Sequence, residues 1–213
     1  MLEMANQDLT TTSYLVLGLV GLLSRATPYD MKRVVSFSIG NFWVFPHSQL
    51  YAEPQRLAQL GLLDEEREEG GRRRRWYTLT EEGRQELQSW LAEPTPEFFE
   101  LRDLSLLKLF FGNMAAPDDV QRLAKTQASY CRSHLEQLEA LQEQFGGVSG
   151  IEHQLATLKM GIEVERLAVR FWEEIAENPP GPSGAEIWQK VAEDGRLPTA
   201  VPPPGPSSRR ATP

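Results

Sequence analysis

The sequence predicts a mainly α-helical chain with one small β-hairpin, and three observations predict it. Apolar residues recur at helical spacing in segment after segment up to Asn178. Strand character is confined to two short arms, Leu62 to Arg67 and Arg74 to Leu79, around a tip that holds Gly70 and Gly71. After Asn178 the composition turns abruptly to proline, glycine and serine. The expected organisation is a helix-and-hairpin domain over residues 1–95, an all-α domain over 96–178 and a largely disordered Pro-rich tail over 179–213.

The 213 residues suffice for one large or two small domains. A single cysteine, Cys131, excludes an intramolecular disulfide framework. The Met-Leu-Glu-Met-Ala start lacks the basic region and apolar run of a secretory signal. The most apolar stretch, Tyr14 to Leu23, is far shorter than the roughly 20 residues a membrane span needs. A cytoplasmic chain without a membrane segment is expected. The net charge of −8 and pI near 5.0 argue against coating nucleic acid by bulk charge. Local charge is what a phosphate meets within a Debye length of about 8 Å, and four consecutive arginines, Arg72 to Arg75, lie at one place in the first half.

Residues 1–9 read as a loose arm. Thr10-Thr11-Thr12 offers an N-cap for a first helix, apolar on most sides, in which Gly18 and Gly21 are expected to admit close neighbours. Thr27-Pro28-Tyr29-Asp30 starts a second helix: Thr27 caps, Pro28 needs no N–H at the first helical position and Asp30 favours the positive first turn. That helix should reach about Ser38. Gly40-Asn41 breaks it, and Phe42, Trp43, Val44 and Phe45 form an aromatic connector expected to plug the core rather than bind a ligand.

In the third helix Leu50, Pro54, Leu57, Leu60 and Gly61 form the inward line, leaving Ser48, Gln49, Ala52, Gln55, Arg56 and Gln59 outward. Such polar groups hydrogen-bond base edges and phosphates, and they equally suit a plain solvated face. Pro54 predicts either a bend or a late start, because it removes a backbone hydrogen bond. In the hairpin, the arginines either pair with Asp64, Glu65, Glu66, Glu68 and Glu69 or remain for phosphate; four in a row exceed what cross-strand pairing requires. Thr80 caps a fourth helix with Glu81 and Glu82 in its first turn and Leu87, Trp90 and Leu91 on its apolar side. A basic hairpin following an amphipathic helix is the layout of a winged helix-turn-helix.

In the second half Phe98, Leu101, Leu104, Leu107 and Phe111 suggest a helix ended by Gly112. Pro117-Asp118-Asp119 opens a long helix carrying Val120, Leu123, Leu135, Leu138, Leu141 and Phe145 and stopping at Gly146-Gly147. Ser149-Gly150-Ile151-Glu152 reads as a capping box for another, with Ile151, Leu155, Leu158 and Ile162 and then a stripe moving to Val164, Ala168, Phe171 and Ile175. Long apolar-striped helices without a sheet pair with each other or with a second chain, so this half reads as a dimerisation module. A short helix is expected at Ala185 to Asp194.

No HExxH, CxxC, nucleophile elbow or P-loop is present, and His47, His134 and His153 are scattered, so no enzyme and no cofactor are expected. Cys131 and His134 are i,i+3 neighbours, more consistent with a buried cysteine and a satisfied histidine than with a metal site. Trp43, Trp76 and Trp90 are core or interface candidates, and would line an effector cavity if the junction between the halves is open.

Leu9-Thr10-Thr11-Thr12-Ser13-Tyr14, Tyr29-Asp30-Met31-Lys32-Arg33, Ser48-Gln49-Leu50-Tyr51 with Arg56-Leu57 and Leu60-Gly61-Leu62, and Arg74 to Gly83 together resemble the PadR family of bacterial transcriptional regulators. The region from Phe98 to Glu177 is similar to the subgroup with a long helical C-terminal domain. The resemblance implies a homodimeric winged-helix repressor of an inverted-repeat operator in double-stranded DNA, released in several members by a small-molecule effector. It places DNA contact at Ser48, Gln49, Tyr51 and Arg56 and wing contact at Arg73, Arg74, Arg75 and Tyr77. Pro54, where many members have an apolar helix-former, and Pro28, where glycine is frequent, depart from the pattern.

Overall fold

The computed structural model describes residues 9–68, 70, 74–95, 100–181 and 186–194. They form α1 (Thr11–Leu23), α2 (Pro28–Phe37), α3 (Gln49–Gln59), β1 (Leu63–Arg67), β2 (Arg75–Leu79), α4 (Glu81–Ala92), α5 (Leu104–Phe110), α6 (Pro117–Phe145), α7 (Glu152–Glu177) and α8 (Glu186–Asp194). Two compact units are formed, Met1–Arg102 with Cys131–Leu167 and Asp103–Tyr130 with Ala168–Pro213. The expected disorder of the tail falls largely outside the described residues, whereas its short helix is present as α8.

Helices α1 to α4 with β1 and β2 fold as the predicted winged helix-turn-helix. Val16, Leu17, Leu19 and Val20 of α1 are buried with Met31, Val35, Leu50, Leu57, Leu63 and Tyr77, so α1 is the central element. Gly21 explains one close approach, because a Cβ there would lie 3.0 Å from Leu79 Cδ1; at Gly18 no such neighbour lies within 4 Å. Helix α2 starts as its sequence predicts: Thr27 Oγ1 accepts from the Asp30 N–H while Asp30 accepts from the Thr27 N–H. The Thr27 hydroxyl also donates to Asp30 Oδ2 at 2.7 Å, and this bond holds the Asp30 carboxyl below its usual range against the opposing effect of burial.

Pro54 is accommodated inside α3, where its ring is buried. The end of α3 is a Schellman turn. Gly61, at φ 75°, donates to the Ala58 carbonyl and Leu62 donates to that of Leu57. This turn corrects the expectation for Leu60, which is exposed because the helix ends there and Leu62 continues the apolar contact instead. The connector is likewise corrected: Phe42, Trp43 and Val44 are exposed and only Phe45 packs against the core.

Strands β1 and β2 are antiparallel, with Leu63 opposite Leu79, Glu65 opposite Tyr77 and Arg67 opposite Arg75. Ala26 joins their outer edge by exchanging backbone hydrogen bonds with Tyr77 at 3.0 and 2.9 Å. Thr80 caps α4 and its hydroxyl donates to the Gly61 carbonyl, so the start of α4 is fastened to the end of α3. Gly83 is required by this contact, since a Cβ would lie 2.0 Å from the Leu62 oxygen. Trp90 stacks on Tyr14 at 4.7 Å, and Leu91 is exposed. Trp76 lies under Arg25, whose guanidinium is 4.6 Å from the ring centre.

In the second half, α5 starts at Leu104, capped by Asp103, later than the pattern from Phe98 predicted; Phe98 itself lies outside the described residues. Helix α6 has its predicted ends. Helix α7 begins at Glu152, whose carboxylate accepts from the Gly150 N–H, in place of the predicted Ser149 capping box. Its buried line keeps one phase through Ile162 to Trp172 and Ala176, rather than moving to Val164, Ala168, Phe171 and Ile175. Glu165 lies on that line and bonds His134 of α6 at 2.8 Å. A charge at an interior position is what obscured the helical phase. The same bond satisfies His134, and no cluster of metal-ligating residues occurs among the described residues.

Candidate nucleic-acid interface

Helix α3 turns one face away from the core. Leu50, Pro54 and Leu57 are buried, while Ser48 and Gln49 at its start, Tyr51, Ala52, Gln55 and Gln59 are exposed. The Ser48 hydroxyl makes no capping bond at the helix start. Gln49 Oε1 accepts from the Thr12 hydroxyl at 2.8 Å, so the beginnings of α1 and α3 are joined at this surface. The outward polar face predicted from periodicity is therefore present, with two differences. Tyr51 belongs to it, 52% exposed, and Arg56 is half-buried and engaged by Glu53 and Ser13.

Arg56 is held by a network that the sequence did not announce. Its Nε donates to Glu53 Oε2 at 3.0 Å, and its Nη2 donates to Glu53 Oε1 at 2.7 Å and to Ser13 Oγ at 3.0 Å. The Ser13 hydroxyl, fully buried, donates to Glu53 at 2.6 Å and accepts from the Thr10 N–H at 2.9 Å. Burial raises the Glu53 carboxyl pKa, but the hydrogen bonds from Arg56 and Ser13 and the guanidinium charge outweigh it and leave the group below its usual range. Thr10, Thr12, Gln49, Ala52, Glu53 and Arg56 line a shallow recess of about 290 Å³ here. The guanidinium thus ties α3 to α1 while 38% of its side chain stays exposed.

The wing is tied to α3 through Arg75, which Glu65 flanks. Arg67 Nε donates to Glu65 Oε1 at 2.7 Å, and Arg75 Nε lies 3.8 Å from the same oxygen. Arg75 also donates from Nη1 to Gln55 Oε1 at 2.9 Å, a direct link from β2 to the middle of the exposed face of α3. Cross-strand pairing of acids with arginines therefore does occur. Glu66 pairs with Arg25 at 2.7 Å rather than with the wing's own arginines. Arg74 is exposed at the base of the hairpin tip, and Arg72 and Arg73 lie outside the described residues.

Tyr77 has a different role from the one expected. Its side chain is only 1% exposed, its ring belongs to the core and its hydroxyl donates to Glu65 at 3.3 Å. Burial, with Glu65 next, raises its phenol pKa, and Arg75 partly offsets this. Register accounts for the position, because Tyr77 pairs with both Glu65 and Ala26 and faces α1 from the middle of β2. Tyr77 anchors the wing instead of facing a ligand. Glu53, Glu65 and Ser13 are the residues that periodicity missed; the only available signal was an acid three positions before Arg56 on the same helix.

Comparison with known proteins agrees with this geometry. Residues 16–89 match the Transcriptional regulator PadR-like family, and residues 101–178 match the family described as Virulence activator alpha C-term. The chain is 32% identical over 136 residues to the Negative transcriptional regulator PadR of Bacillus subtilis (strain 168), covering 61% of this chain and 72% of that relative. The fold is similar to that of Bacillus subtilis PadR in complex with operator DNA, with a TM-score of 0.72 and 26% identity over 79% of this chain and 98% of that one. It is also similar to Bacillus subtilis PadR in complex with p-coumaric acid, with a TM-score of 0.65 and 25% identity over 79% and 97% of the two chains. The Vibrio cholerae virulence activator AphA shares the fold, with a TM-score of 0.60 and 22% identity over 76% of this chain and 96% of that one. By its identity to the Bacillus subtilis regulator and the extent of that match, the chain belongs to the PadR-like family of transcriptional regulators.

Proposed function

We propose that this chain is a dimeric repressor that binds an inverted-repeat operator in double-stranded DNA, with α3 in the major groove and the wing along flanking phosphate. The observation that carries this reading is the Arg75–Gln55 bond at 2.9 Å, which makes the exposed face of α3 and the arginine-bearing strand one continuous surface. The complex of Bacillus subtilis PadR with operator DNA, and its description as a negative regulator, support operator binding and repression. Ser48, Gln49 and Tyr51 are the base- or phosphate-contacting candidates on α3, and Arg73, Arg74 and Arg75 those on the wing.

A homodimer is supported by α7, where Met160, Val164 and Leu167 recur at heptad spacing and are 60%, 36% and 60% exposed. Two-fold symmetry then places half-sites about 34 to 36 Å apart or at a multiple of that distance. The domain division we favour remains residues 1–95 for DNA, 96–178 for dimerisation and 179–213 as a tail. A small-molecule effector is part of the proposal, and p-coumaric acid, found with the Bacillus subtilis relative, is the first compound to titrate. The protein acts in the cytoplasm on this reading; among the described residues no helix is long and apolar enough to cross a membrane.

Fluorescence anisotropy with labelled duplexes from the protein's own promoter region, measured across a salt series, tests the reading. Combined replacement of Arg73, Arg74 and Arg75 by Ala should weaken binding to every sequence. The slope of log affinity against log salt should become shallower by about 0.9 for each phosphate that is no longer neutralised. Unchanged affinity and slope would refute the wing assignment, and absence of salt-sensitive duplex binding by the unaltered protein would refute DNA binding itself.

A further inference from the structure

The geometry points to Gln55 as a specificity-determining residue whose hydrogen-bonding polarity is set by the wing. This rests on the DNA-binding reading above and adds to it the class of base that Gln55 recognises. An arginine guanidinium has donors only. Whatever faces Arg75 Nη1 at 2.9 Å must therefore accept, and the amide of Gln55 turns its oxygen to the wing. The choice of amide orientation follows from the partner's chemistry, unlike that of Gln49, whose partner Thr12 is a hydroxyl able either to donate or to accept. Arg75 is steadied by Glu65 Oε1, 3.8 Å from its Nε, in addition to Gln55.

With Oε1 engaged, the group that Gln55 offers outward is its NH2, a donor. Gln55 is exposed on the same face as Tyr51, Ala52 and Gln59. A glutamine free to use both ends of its amide reads adenine, accepting from N6 and donating to N7. Held by Arg75, Gln55 has its oxygen turned to the wing, so its NH2 rather than its oxygen is the group presented to a base. It is matched instead to the acceptor O6 of guanine or O4 of thymine, and mismatched to the donors N4 of cytosine and N6 of adenine at the same place on the base edge. The wing thus sets base choice at a position that it does not itself touch.

The experiment measures binding to a panel of operator duplexes carrying every single-base substitution, for the full-length protein and for Arg75→Ala, Gln55→Ala and the double variant. Retained salt-dependent binding to duplex DNA serves as the check that each variant is folded. For the unaltered protein, one position in each half-site should favour guanine or thymine over adenine by about ten-fold. Arg75→Ala should weaken binding generally and, at that position alone, raise adenine to within about three-fold of the favoured base. Gln55→Ala should abolish the preference there, and adding Arg75→Ala to it should change that preference no further.

Uniform weakening by Gln55→Ala across the panel would assign its donor to a phosphate and overturn the proposal. So would a preference at that position that survives Arg75→Ala. Both results leave DNA binding by α3 standing. Failure of the unaltered protein to prefer any duplex sequence would overturn the proposal together with the reading beneath it.

Discussion

Replacing Glu53 with Gln keeps the side-chain shape and removes the charge at the joint between α1 and α3. In the structure, Glu53 Oε1 accepts from both Ser13 and Arg56 Nη2, and Oε2 accepts from Arg56 Nε. An amide can retain one accepting oxygen, but it then turns NH2 toward a guanidinium N–H, losing one bond and opposing two donors. The remaining bonds fall from charge-assisted strength, about 1.5 to 3 kcal/mol each, to the neutral value near 1 kcal/mol. Arg56, with 38% of its side chain exposed, recovers part of this through water. The expected cost is about 2 kcal/mol at pH 7.

The acid dependence supplies the sharper test. Because the folded-state pKa of Glu53 lies below its ordinary 4.5, its ionisation stabilises the fold above about pH 4.5, and this contribution is lost as the pH falls through the folded value. Asp30 and Glu152 are depressed too, but they are common to both proteins and cancel in the difference. Urea unfolding at fixed protein concentration, followed by tryptophan fluorescence, should show the gap between wild type and Glu53→Gln closing as the pH falls from about 4.5 toward 3. A gap below about 0.5 kcal/mol at pH 7, the scale of a weak surface ion pair, or one that persists undiminished at pH 3, would refute the network as described.

Gly83→Ala should destabilise by about 3 kcal/mol or more, because its Cβ, which has no rotamer freedom, would fall 2.0 Å from the backbone oxygen of Leu62; a thermal melt equal to wild type would refute that contact. Tyr14 donates to Glu86 at 2.9 Å, and burial, followed by that bond, pushes its phenol up to about 12. Since the folded-state value is raised, stability should decline between pH 10 and 12. Tyr14→Phe should flatten that alkaline loss in denaturant titrations, and an unchanged alkaline limb would count against the assignment. Leu167→Glu, on the exposed stripe of α7, should shift sedimentation from dimer toward monomer; an unaltered dimer would move the interface elsewhere.

Local chemistry made α2, the hairpin and the ends of α6 legible. Thr27-Pro28-Tyr29-Asp30 contains its own cap, and Gly70, at φ 118°, lies between two strands of five residues each. Helix α7 was less legible because Glu165 occupies a position where an apolar residue was sought, and the partner that makes this tolerable, His134, lies 31 positions away. Leu60 misled because periodicity has no knowledge of where a helix stops. Tyr77 misled for a related reason: its burial depends on Ala26, which pairs with it across a sequence gap that no local pattern spans.

The acidic residues of the candidate interface bear on the overall charge. A net −8 argues against DNA binding only if acid and base are spread evenly, and here two acids are placed to aim the bases. Glu53 pairs with Arg56 on α3 and fixes where that guanidinium lies. Glu65 gathers Arg67 and Arg75 at the root of the wing, two guanidinium groups on one carboxylate, leaving that cluster net positive. Arg75 is thereby oriented toward Gln55. Substituting either acid should therefore act on recognition through geometry as well as charge: Glu65→Gln loosens Arg75, and with it the polarity of Gln55. Relaxed discrimination at the Gln55-dependent base pair in Glu65→Gln, with Arg75 intact, is the expected outcome. Discrimination that stayed at its wild-type value would show that Gln55 alone holds Arg75 in place.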